Sequence, residues 1–210
     1  MEVRVDDRPL ALALGPGSSL RELLQEVRSR VRSEGRIVLS VTLDGTALGS
    51  EKERELGEQP PGAAACLEFR TADAAEFSRE TLAGLIAETG QVERLHDEAA
   101  ERVIAGRYDD ALAKFEACFR GWSLLSGAVR DILSLVPVDL AKLDAAGEPA
   151  SVRIRRVVEG LELFRKAFAA RDVVRIADVA QYELRPRVAD WRAVLEALRA
   201  AVRAKPGGGA

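Results

Sequence analysis

Apolar and polar positions alternate in short runs over roughly the first seventy residues and recur in threes and fours over the rest. Val3 and Val5 alternate with polar neighbours, Asp6-Asp7-Arg8-Pro9 is a turn, and Leu10, Leu12 and Leu14 alternate again, which predicts a hairpin. Gly15-Pro16-Gly17 ends it. Ser18 or Ser19 offers an N-cap, with Glu22 three residues after Ser19 as a capping box, and Leu20, Leu23, Leu24, Val27 and Val31 give the following helix one apolar face. Gly35 stops that helix. Ile37–Leu43 is too short and too β-branched for a free helix and reads as a strand, and Asp44-Gly45 is a strong turn signal. A polar loop with Pro60-Pro61 leads to a last strand around Cys66–Arg70.

Near residue 72 the period changes. Four amphipathic helices are predicted, over about 74–105, 108–135, 150–170 and 173–204. Their expected inner faces carry Leu82, Leu85, Val92, Leu95, Ala99 and Val103 in the first helix. The second presents Leu112, Phe115, Phe119, Trp122, Leu125, Val129, Ile132 and Val136. Val157, Leu161, Phe164 and Phe168 follow in the third, and Ile176, Ala180, Leu184, Val188, Trp191, Leu195, Leu198 and Val202 in the fourth. Short connections make consecutive helices antiparallel neighbours. The expected class is therefore α+β: a small domain over 1–72, an antiparallel four-helix bundle over 73–205, and a flexible tail over 206–210.

The order ββαββ, with Leu43-Asp44-Gly45 after the third strand, resembles the ubiquitin-like β-grasp fold. That resemblance implies a docking module. Conjugated members and sulfur carriers of that kind end in an exposed Gly-Gly, whereas here Thr71-Ala72-Asp73 runs straight on, and Gly207-Gly208-Gly209-Ala210 ends in Ala beyond the helices. The back half looks like an uncharacterised bacterial helical bundle, on the stretch from Asp178 to Pro186, and this implies no activity. Gly106–Phe115 resembles a junction of tetratricopeptide helices, but no 34-residue period recurs, so a helical hairpin is expected there.

Composition narrows the function classes. The 210 residues are 47% hydrophobic and 31% charged, which suits a globular core in each half. A net charge of −3 offers no general attraction to nucleic acid or anionic lipid. The strong preference for Arg over Lys reads as the coding bias of a GC-rich, bacterial genome. Cys66 and Cys118 lie in different halves within apolar patterns and read as buried thiols. No basic-then-apolar leader opens the sequence and no apolar run reaches about 18 residues, so a cytoplasmic location is expected.

Candidate chemistry is sparse. Glu93-Arg94-Leu95-His96 has the Glu-x-x-His spacing of di-metal bundles, which need two such motifs and two more carboxylates, and His96 is the single histidine. It reads instead as a partly exposed residue flanking Leu95. The same count removes most Ser-His and Cys-His catalysis, and no phosphate loop or cofactor fingerprint occurs. Asp178 and Tyr182 share a helix face, and Pro186 withdraws an N–H and crowds the Tyr182 carbonyl, which predicts a kink. Asp178, Tyr182, Glu183 and Pro186 are either the rim of a partner-binding notch or a tyrosine hydroxyl satisfied by a carboxylate inside the bundle. Arg153, Arg155 and Arg156 read as a solvated helix face. The expected function is a non-enzymatic interaction or scaffold protein with a protein partner or client and a homodimer through the bundle. The alternatives are an export chaperone for a client helix and a metal-binding bundle at Glu93 and His96. No cofactor is expected, and no nucleic-acid or membrane partner.

Overall fold

The computed structural model describes residues 1–12, 17–60, 62 and 65–202. Leu14, Gly15-Pro16, Pro61, the end of the last helix at Ala204 and the glycine tail lie outside the described residues. The chain forms two compact units, Met1–Phe77 and Ser78–Ala210. The division falls five residues beyond the expected 72/73 boundary, inside a helix that starts at Ala74.

The first unit is α+β. Its strands are β1 (Glu2–Val5), β2 (Arg8–Pro9), β3 (Arg36–Leu43), β4 (Thr46–Ala47) and β5 (Cys66–Asp73), with helices α1 (Leu20–Ser33) and α2 (Ser50–Leu56) between them. The mixed sheet runs β2-β1-β5-β3-β4, with β1 and β5 parallel and the other pairs antiparallel. Both hairpin turns place two successive residues at positive φ, Asp6 and Asp7 in one and Asp44 and Gly45 in the other, the backbone that two-residue hairpins require.

Two expectations need correction here. The second strand is only two residues long, because Pro9 cannot donate to a ladder; Leu10 and Leu12 pack against the core from outside regular structure. The polar loop contains β4 and α2. Helix α2 buries none of its residues fully and is tied to α1 by a two-pronged Arg28–Glu53 pair at 2.6 and 3.1 Å, so apolar spacing could not announce it. A register shift between Val38 and Ser40 accompanies an outward Leu39, 53% exposed in β3.

Helix α1 lays Leu20, Leu24, Val27 and Val31 on Val3, Val41, Leu67 and Phe69. Its capping box is complete: the Ser19 hydroxyl accepts from the Glu22 amide, and the Glu22 carboxylate accepts from the Ser19 amide. Asp6 fastens the sheet. Its carboxylate accepts the Thr71 amide at 2.9 Å, the Thr71 hydroxyl at 2.6 Å and an Arg36 guanidinium N–H at 3.0 Å. These bonds, Thr71 first, hold the Asp6 carboxyl below its ordinary range.

The second unit is helical: α3 (Ala74–Ile104), α4 (Tyr108–Leu135), α5 (Ala150–Ala169), α6 (Val173–Asp178), a π-helical segment (Val179–Leu184) and α7 (Arg185–Ala201). The buried stripe of α3 is Ser78, Leu82, Leu85, Thr89, Val92, His96 and Ala99. That of α4 is Ala111, Phe115, Cys118, Trp122, Leu125, Val129 and Ile132. Both step strictly by four and three, the 3.5-residue repeat of helices that pack at a shallow angle. Gly121 permits the approach, since a Cβ there would stand 2.7 Å from Val92 Cγ2. Contacts between α3 and α7 run in opposite senses. Phe115 and Phe119 of α4 meet Phe164 of α5, and Thr89, Glu93 and Asp97 of α3 bond Arg192, again Arg192, and Arg185 of α7.

Candidate functional site

His96 corrects the expectation most sharply. It lies on the inner stripe and is 1% exposed, while Leu95 sits beside the stripe, half-buried. The Trp122 indole N–H donates to His96 Nε2 at 3.0 Å, so in the neutral ring the proton is on Nδ1. No described residue accepts from Nδ1. Burial pushes the His96 pKa down to about 4; Asp97 opposes the shift and Arg185 adds to it. With Nε2 occupied by Trp122 and the Glu93 carboxylate bonded to Arg192 at 3.3 Å, the Glu-x-x-His pair does not form one ligand set. Among the described residues no three His, Cys, Asp or Glu side chains cluster as metal ligands would. Cys118 is buried as expected and its thiol is pushed up to about 12 by burial, whereas Cys66 is half-exposed.

Pro186 acts on the backbone just before it. Upstream of the proline the helix widens into the π segment, whose last bond runs from the Arg185 N–H to the Ala180 carbonyl, five residues back. Tyr182 stands on the outer side, 72% exposed, so its hydroxyl is not satisfied inside the helices. Asp178, Glu183 and Pro186 are exposed as well.

The arginines near the start of α5 divide. Arg155 is solvated. Arg153 is largely buried and donates to Asp190 of α7 and to the carbonyls of Ala145 (2.6 Å) and Ala146 (2.9 Å). Arg156 pairs with Glu148 and holds that carboxyl below its usual range. Asp190, 8% exposed, also receives Arg187. This cluster clamps the Val136–Pro149 connection onto the helices and is part of the fold.

A concavity lies between α4 and α5. Glu116, Phe119 and Arg120 of α4, with Arg165 and Phe168 of α5, line a groove of about 270 Å³ whose floor is apolar. Phe119 stacks on Phe164 with ring centres 6.3 Å apart and planes 27° from parallel, and Phe168 meets Phe164 edge-on at 5.3 Å. The sequence pattern takes both phenylalanines as interior. The four-three stripe of α4 selects Cys118, which leaves Phe119 on its flank, 37% exposed. Phe168 is likewise one position past the buried Ala167. Arg165 has no carboxylate partner among the described residues, and the nearest acid to Arg120 is Glu116 at 3.9 Å, one turn away and exposed.

The arrangement offers an aromatic floor and a rim of both charges; it brings no nucleophile, base and acid together. No helix among the described residues is long and apolar enough to cross a membrane. Residues 81–194, from α3 into α7, match the family described as "Domain of unknown function (DUF8042)", and the chain belongs to that family. The match takes in His96, the π segment and the groove, and leaves out the sheet unit. No curated protein and no solved structure matches the chain.

Proposed function

We propose that the protein is a non-enzymatic protein–protein interaction module whose docking surface is the α4–α5 groove. The observation that carries this reading is Phe119 and Phe168 left half-open on an apolar floor between Glu116, Arg120 and Arg165. Aromatic residues ringed by charge are the usual anchors of such surfaces. The helical unit is read as an antiparallel four-helix bundle in which α6, the π segment and α7 make one run. Contacts of α3 with α4 and α7, and of α5 with α4 and α7, support that reading. The sheet unit is read as a ubiquitin-like β-grasp module, on the strength of its central parallel β1–β5 pair and the α1 crossover. Affinity capture from a lysate tests the proposal, with the full chain as bait beside full-length F119S and F168S baits of matched thermal stability. Partners that are held by the wild type and lost from both variants support the groove. An unchanged set of partners contradicts it.

A further inference from the structure

We propose that the occupant of this groove is the same groove of a second copy, related by a two-fold axis. The inference rests on the interaction reading above and names its partner. A two-fold interface needs a patch that complements itself, in which residue i of one copy meets residue j of the other and the reverse. The groove has that character in both of its chemistries. Each helix contributes one half-open aromatic, Phe119 from α4 and Phe168 from α5, and one charge of opposite sign: Arg165, which has no carboxylate partner among the described residues, and Glu116, held only by a long, exposed pairing with Arg120 at 3.9 Å. Laying α4 of one copy on α5 of the other buries Phe119 against Phe168 twice and pairs Glu116 with Arg165 twice. Arg120 stays with Glu116 at the rim. Tyr108, 51% exposed, lies eleven residues before Phe119 and within about 20° of it around α4, so the apolar flank continues for about 16 Å along the helix.

The full-length chain is measured by light scattering behind size exclusion and by sedimentation, up to about 1 mM so that even millimolar affinity registers. The wild type is expected at twice its 22.7 kDa chain mass. E116R opposes Arg165 with an arginine in both symmetric contacts, and R165E opposes Glu116 with a glutamate. Each alone should weaken the dimer at least about tenfold. Mixed one to one, they should form a heterodimer as tight as the wild type. In one contact the arginine introduced by E116R then meets the glutamate introduced by R165E, and in the other the native Arg165 meets the native Glu116. Circular dichroism and the thermal midpoint verify folding; if a charge variant is misfolded, R165Q and F119S replace it, and both should dissociate the dimer. A monomeric wild type, single variants that dimerise unchanged, or a mixture that stays monomeric overturns the proposal. A monomer that still loses its captured partners on F119S overturns the second-copy occupant alone and leaves the groove standing. Capture indifferent to F119S and F168S removes the groove reading itself.

Discussion

Replacing His96 with glutamine should abolish a distinct part of the acid sensitivity of the helical unit. An unfolded histidine takes up a proton near pH 6.5, whereas the buried ring resists it down to about 4. Between those values the unfolded chain binds more protons than the folded one, so stability falls with falling pH. The contribution is nil above about 6.5, grows through the window, and levels off below about 4 at roughly 3 kcal/mol. The glutamine of H96Q keeps an acceptor for the Trp122 N–H and cannot titrate. The carboxylates held low by their partners, Asp6, Glu98 and Glu148, lose their contributions on acidification in both proteins and cancel in the difference. The assay is urea unfolding between pH 8 and pH 4, followed by tryptophan fluorescence. Both tryptophans of the chain, Trp122 and Trp191, are buried in the helical unit, so the signal reports that unit. The free energy of the wild type should fall relative to H96Q by about 3 kcal/mol across the window. A difference constant to within about 0.5 kcal/mol would refute the buried neutral imidazole.

The remaining predictions use other contacts. G121A should cost about 1 kcal/mol despite its better helix propensity, because the new methyl meets the stiff Val92 side chain; G127A, with open space around it, should gain up to about 1 kcal/mol. Denaturant midpoints followed by tryptophan fluorescence should move in opposite directions. D190N should cost about 3 kcal/mol by leaving Arg153 and its neighbours without their shared acid, while R155A should stay within about 0.5 kcal/mol of the wild type in the same assay. S19A should cost about 1 kcal/mol, read as faster hydrogen exchange at the first turn of α1.

Much of the fold is written in spacing. The fourth apolar face was legible to the residue, from Ile176 to Val202, and all eight positions are buried. The same run also carried the π segment. Ile176, Ala180, Leu184 and Val188 are separated by four residues three times over, which in an α-helix would drift about 120° off the face; one extra residue in a widened turn absorbs about 100° of that. That signal stood in the sequence beside Pro186. The burial of His96 escapes the pattern for a different reason. Ser78, Thr89 and His96 are polar occupants of a stripe whose four-three rhythm is strict, and the apolar Leu95 falls one position off that rhythm. Phe119 and Phe168 read as interior because hydrophobicity alone does not separate a core position from its flank; the step from Phe115 to Cys118 does. Helix α2 and the short β2 depend on Arg28–Glu53 and on the proline N–H that is missing, and neither has a periodic signature.

A photo-crosslinking side chain at residue 119, compared with one at residue 182 in the otherwise unaltered full-length chain, tests the central claim most directly. Both positions are exposed aromatics, one in the α4–α5 groove and the other on the π segment beside Asp178, Glu183 and Pro186. The groove account predicts adducts from position 119, whether to a second copy or to another protein, and none from position 182. Adducts from 182 with none from 119 would contradict it.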